Sequence, residues 1–247
     1  MTTNTPKSEP SSKENPLKNI QLIGTSHIAE ESVNKVKTTI KKYDEAIVAV
    51  ELDTMRLQAL LSKQQTTSFS FRDITKVGIT GFAFAVIGSY VTRKLAKVVN
   101  QEPGADMLAA VKAAQGKKHQ IALIDQPIQK TLKRFSEEVT LREKGKALID
   151  ILQAIFFQKS QMKKFGIGHL DLTKVPTKTI IKKLIAHLKI RYPNVYKVLI
   201  AERNKYMVKK LVTIALNHPD KSIIAVVGAG HEEGMQKLLK NVQIRYR

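Results

Sequence analysis

The chain has 247 residues, 43% of them hydrophobic, enough to bury the core of one large domain or two small ones. Forty-two Lys and Arg against 21 Asp and Glu give a formal net charge of +21, which points to an acidic partner or to a strongly basic solvated surface. There is no cysteine, which excludes disulfides, thiolate catalysis and cysteine-based zinc sites, and 6% aromatic residues is thin for a base-stacking surface.

Residues 1–19, "MTTNTPKSEPSSKENPLKN", are polar and carry no apolar run of signal-peptide type. They read as a disordered tail, and a cytoplasmic location follows. Four short aliphatic runs come next, at 20–23, 46–50, 121–124 and 223–227. None alternates with polar residues, so each reads as a strand covered on both faces, as in a parallel sheet between helices. The stretches between them have helical periodicity. "ESVNKVKTTIKKY" puts Val33, Val36 and Ile40 on one face, and "GADMLAAVKAAQ" and "TIIKKLIAHLKIRY" behave alike. The expectation is an α/β fold: one domain over 20–247, a central largely parallel sheet flanked by helices, and a long helical insertion at about 55–115 and 128–210.

The most hydrophobic stretch is 77–91, "VGITGFAFAVIGSYV". It falls short of the ~18 residues that a spanning helix needs. Its small residues Gly81, Ala85, Gly88 and Ser89 favour close helix pairing, so a buried or homodimer-interface helix is the expectation, with a segment at an anionic membrane surface or re-entering it as the alternative and a true span last.

Each strand ends in chemistry. The first runs into Gly24-Thr-Ser-His27 and the fourth into Gly228-Ala-Gly-His231. The second stops at Glu51 and Asp53, the third at Asp125. Parallel sheets bind ligands outside the carboxyl ends of their strands, so neighbouring strands would gather these groups at one rim. Glu51 leaves its strand directly, and Arg56 lies about one turn into the next helix. Asp53 also suits the helix N-terminus by itself. Between 174 and 210 the single acid is Glu202, followed by Arg203 and Asn204. That cluster either forms a structural ion pair or aims Arg203 at the rim; the second is the expectation. His119, His187 and His218 fall in helices or polar turns. His169, in "FGIGHLDL", sits in a Gly-rich loop with no strand before it.

The ordered set of motifs resembles the TraB/PrgY family, the pheromone-shutdown proteins and their archaeal relatives. The likeness rests on "GTSHIAEESV", "VAVELDTMRLQAL", "PGADMLAAVKAA" with "IALIDQPIQKTLKR", "AERNKYMVKKL" and "VVGAGHEEGM", spanning 20–235. Many archaeal relatives carry a hydrophobic C-terminal region beyond the shared domain, and the expectation is that this chain does without it. The resemblance implies a wider superfamily with the TIKI proteases, the ChaN-like haem- or iron-binding proteins and the erythromycin esterases. It implies a site of His27, Glu51, Arg56, Arg203 and His231, with Glu202 and Asn204 beside it by motif.

His27, Glu51 and His231 could hold one divalent ion, with zinc, manganese and cobalt all compatible. Arg56 or Arg203 would then face the developing oxyanion. In a metal-free version one His acts as general base oriented by Glu51. Neither Gly-x-x-His run matches the helical His-Glu-x-x-His zinc signature. Three functions compete: a metal-dependent hydrolase of peptide or amide bonds, a regulator that binds a peptide without turnover, and an anionic-surface binder. No nucleic-acid motif is visible, so nucleic acid is the least favoured partner.

Overall fold

The computed structural model describes residues 15–25, 30–62, 78, 82, 104–116, 118–156 and 178–245. His27, His169 and the stretch 77–91, apart from Gly78 and Phe82, lie outside them. The strands are β1 (Ile20–Thr25), β2 (Ile47–Val50), β3 (Gln120–Leu123) and β4 (Ile223–Gly228). They form one all-parallel sheet in the order β1-β4-β2-β3. Every residue of β2 and β4 is buried, whereas β3 is more open at its edge. Continuous aliphatic runs are what strands covered on both faces require.

Around the sheet run α1 (Glu30–Lys41), α2 (Thr54–Leu61), α3 (Ala105–Gln115), α4 (Ile128–Glu138), α5 (Leu141–Phe156), α6 (Lys178–Arg191), the short α7 (Pro193–Tyr196), α8 (Glu202–Asn217) and α9 (Ala229–Arg245). Successive residues of a strand point to opposite faces, and the core divides accordingly. Ile223, Ala225 and Val227 pack on one side with Met207, Leu211 and Ala215 of α8 and Met235 and Leu239 of α9. Ile224 and Val226 pack on the other with Val36 and Ile40 of α1 and Met107, Ala110 and Val111 of α3. The helices α3 and α8, though inside the stretches read as insertion, are therefore covering layers of the sheet.

The tail expectation reaches too far toward the sheet. Pro16–Asn19 form a turn of 3-10 helix capped by the Asn15 side chain, and Leu17 is fully buried. The Leu17 carbonyl accepts from Gln243 Nε2 at 3.0 Å, which ties this segment to α9. Its one leucine is what the otherwise polar composition conceals. Among the described residues no helix is long and apolar enough to cross a membrane.

Chain direction positions the site. β4 comes last in sequence and lies between β1 and β2. The helix after β4 covers one face, while α1, after β1, covers the other. Such a reversal opens a crevice at the carboxyl ends of the strands.

Candidate active site at the carboxyl ends of the strands

Glu51 is the first residue beyond β2. Its backbone N–H donates to Val226 O at 3.1 Å, and its Oε2 accepts from the Gly228 N–H at 2.6 Å. One carboxylate thus bridges the ends of β2 and β4, just where α9 begins and an anion is favoured. His231 lies in the first turn of α9 and is 5% exposed.

Arg203 sits at the start of α8, directly after a π-helical turn at Lys197–Ala201. Its side chain lies among the strand ends with every donor engaged. Nε donates to Asp125 Oδ1 at 3.1 Å and Nη1 to Leu199 O at 3.2 Å. Nη1 also faces His231 Nε2 at 3.1 Å. Nη2 reaches Asp125 Oδ2 at 2.6 Å and bonds Glu51 Oε1. A guanidinium has five N–H groups, and five acceptors surround this one.

The ring orientation of His231 follows from its partners. A guanidinium only donates, so in the neutral ring Nε2 accepts from Arg203 and Nδ1–H donates to Asn204 Oδ1, 2.6 Å away. Glu51 Oε1 lies 3.3 Å from Nε2, close enough to stabilise an imidazolium. Asn204, Met207, Val208, Leu211 and Ala215 form the buried stripe of α8 at helical spacing, and Asn204 is its polar end. The Asn204 amide fills the space over Gly234, where a Cβ would lie 2.3 Å from Nδ2. Across the site, a Cβ on Gly24 would meet Glu232 Oε2 at 2.4 Å, so that glycine makes room for a carboxylate at the end of β1.

Arg56 extends the network outward. Asp53 caps α2 by accepting from the Arg56 N–H at 2.9 Å, and its Oδ2 accepts from Arg56 Nε at 2.9 Å and from the Ile128 N–H at 3.1 Å. Arg56 Nη2 bonds Asp125 Oδ2. Burying three carboxylates and the Arg203 guanidinium, with Arg56 half-buried beside them, is costly unless every charge is paired, and here each is. Burial pushes the Asp125 carboxyl up, but Arg203 and then Arg56 outweigh it and hold it at about 2. Burial likewise opposes the Arg203 charge, and Glu51 and Asp125 more than offset it, so its pKa is raised.

Of the residues expected at the site, Glu51, Arg56, Arg203, Asn204 and His231 meet there, while His27 lies outside the described residues. Glu202 is elsewhere: it pairs with Arg134 of α4, Nη2 to Oε1 at 2.8 Å and Nε to Oε2 at 3.2 Å. Its lone position among bases reflects a structural pair, as Arg134 approaches from 68 residues away. Asp125, expected at the rim from its place at the end of "QIALID" but absent from the set that the resemblance implies, is a full member of the site. The expected metal set of His27, Glu51 and His231 has one member, His27, outside the described residues. Among the described residues no group of three His or carboxylate donors could hold an ion. Glu51, Asp125 and His231 all face the Arg203 guanidinium, which fills the position between them. These donors do not fit a divalent ion with Arg203 in place.

The model of the TraB/PrgY/gumN family matches residues 12–245. An uncharacterized protein of Methanocaldococcus jannaschii is 30% identical over 225 residues, covering 91% of this chain and 54% of its own length. TraB domain-containing proteins of Bos taurus and Mus musculus are 23% and 21% identical over 241 residues, 88% of this chain and 62% of theirs. The chain spans between half and two thirds of the length of these curated relatives. With a match over almost all of its length, the chain belongs to the TraB/PrgY/gumN family.

Proposed function

We propose that this chain hydrolyses a peptide or amide bond, with His231 as the proton-transferring group. The carrying observation is the buried His231–Asn204 bond beside Glu51, at the rim where a parallel sheet binds its ligands. Asn204 holds the ring through Nδ1, so Nε2 is the atom that takes a proton, once Arg203 Nη1 gives up its bond there. In the reaction Nε2 accepts a proton from water, the oxygen attacks the carbonyl carbon, the C–N bond breaks, and the proton passes to the leaving amine. Glu51, 3.3 Å from Nε2, stabilises the transient imidazolium. Arg203 keeps Leu199 O as a partner when Nε2 turns from acceptor to donor. The Arg56 Nη1 group has no partner among the described residues and is the donor available to a carbonyl oxygen. Arg203 holds Glu51, Asp125 and His231 in place around the reacting groups.

Turnover of a mixed peptide library by the full chain, with and without added zinc, manganese or cobalt, tests this reading. His231→Ala should lower the rate by about 100-fold or more, the scale of general acid–base catalysis. Equal rates for His231→Ala and the parent chain would reject it. A second reading, a peptide-binding regulator without turnover, is favoured by the saturation of Arg203. A site with its charges already satisfied can bind without reacting. Retention of intact peptides with no product would select it.

A further inference from the structure

The sheet has an open edge, and that edge leads to the site. β3 is the outer strand beyond β2. The Gln120 N–H donates to Ala46 O at 3.0 Å and the Ile124 N–H to Val50 O at 3.1 Å. In a parallel ladder the backbone groups of successive residues turn alternately to one side and the other. Ile121 and Leu123 therefore turn their N–H and C=O groups away from β2. Lys210 marks the same direction, since its Nζ reaches Leu123 O from outside the sheet at 3.1 Å. Ile121 is 37% exposed. Among the described residues nothing bonds its outward N–H and C=O or the Leu123 N–H.

Bare strand edges invite pairing with other chains, and proteins blunt them with charge, proline or a bulge. On β3 the blunting contact among the described residues is the Lys210 bond, and it falls at the last residue of the strand. Ile121, in the middle, carries an aliphatic side chain. Donors and acceptors at strand spacing are matched by another main chain in extended form. What such a chain would reach is set by the carboxyl end of β3. There a pocket of about 130 Å³ opens, lined by Leu123, Met55, Tyr206 and Asp125 among others. Asp125 is in turn held by Arg203 inside the site.

We propose that the outer edge of β3 binds an extended peptide as an added strand and leads it into the candidate site. With the peptide parallel to β3, its residue opposite Ala122 donates an N–H to Ile121 O and accepts from the Leu123 N–H. The residues that follow pass Lys210 and enter the pocket. Main-chain pairing is indifferent to sequence, so choice among peptides falls to the pocket. Sites for whole drug-sized ligands run to roughly 300–1,000 Å³, so this one takes a single side chain. The proposal rests on the peptide reading above for the ligand's role, and not on turnover.

Amide hydrogen exchange of the full chain, followed residue by residue by NMR, tests the pairing. The ligand is a mixed pool of acetylated heptapeptide amides. Its control is the same pool N-methylated at every peptide bond, which has no main-chain donors to pair. In the free chain the Ile121 and Leu123 amides should exchange fast, and the Ala122 amide, turned to β2, slowly. The parent pool should slow Ile121 and Leu123 by about tenfold or more, and the methylated pool should not. Ile121→Pro removes one outward donor and leaves the bonds of Gln120 and Ile124 to β2, as an edge position allows. In that variant the protection of Leu123 should shrink; the parent chain decides by itself if the variant does not fold. No slowing by the parent pool, equal slowing by both pools, or undiminished protection of Leu123 in a folded variant would overturn the proposal. So would Ile121 and Leu123 amides already protected in the free chain. Protection that fades on dilution would assign the edge to a second copy of this chain, and protection that persists would assign it to the chain's own cover. Slowed exchange without cleavage of any peptide leaves the pairing standing and rejects only the hydrolase reading.

Discussion

Two glycines of α9 separate the site's needs from those of a helix. A Cβ on Gly234 would lie 2.3 Å from Asn204 Nδ2, so Gly234→Ala must displace the amide that orients His231. We expect a cost of about 1–3 kcal/mol, as for overpacking elsewhere. A Cβ on Gly230 would meet only Ile185 Cδ1 at 3.5 Å, an ordinary contact. Gly230→Ala should therefore be neutral or stabilise by up to about 1 kcal/mol through helix propensity. Urea unfolding of the two variants checks the contrast, and equal effects would mean that Asn204 has room to move. Asp125 carries the pH dependence. Its folded pKa of about 2 lies below the ordinary 3.8. A depressed carboxylate stabilises the fold above its unfolded value, and that stability fades as pH falls from about 4 through 2. The amount is about 2 kcal/mol by linkage. Asp125→Asn should lower stability at neutral pH and flatten its fall between pH 4 and 2. An unchanged acid slope would place the titration elsewhere.

At the level of elements, legibility followed burial. β2 and β4 are buried along their whole length, and unbroken aliphatic runs betrayed them to within a residue. Glu51 and His231 were legible because each follows such a run. Long-range partnership was not. Nothing local in "AERNKYM" says that Glu202 meets Arg134 while Arg203 meets Asp125, 78 residues away. The two side chains are neighbours in sequence and diverge by about 100° around the helix. Leu17 was hidden in the same way, by a polar setting and a partner at Gln243. α8 shows what the periodic signal is worth. Leu211 is fully buried on its stripe, and Leu216 is 44% exposed. Leu211→Ala should cost about 2–5 kcal/mol, and Leu216→Ala far less. Similar losses would show that α8 does not cover the sheet through the stripe that presents Asn204.

The whole molecule holds two electrostatic regimes that salt should separate. The net charge of +21 repels itself across the surface, and that repulsion opposes the compact state. Surface pairs such as Lys221–Glu45 and Lys237–Glu233 work against it, but exposed pairs of this kind are weak because water and salt screen them. Both effects weaken when the screening length shrinks from about 30 Å at 0.01 M salt to about 10 Å at 0.1 M. With twice as many basic as acidic residues, the repulsion is the larger loss, so salt should stabilise. The Arg203 bonds to Glu51 and Asp125 respond little, because their side chains are 15%, 5% and 0% exposed. The expected outcome is a melting temperature that rises between 0.01 and 0.3 M sodium chloride. Each kcal/mol of relieved repulsion should add about 2–4 °C for a chain of this size. An Arg203→Met variant should melt lower at every salt concentration yet rise with nearly the same slope, since it removes a buried centre and only one of 42 basic charges. Thermal melts across that range measure both curves. A melting temperature that falls with salt would mean that the surface pairs, not the excess of lysine and arginine, govern the fold's response to ions.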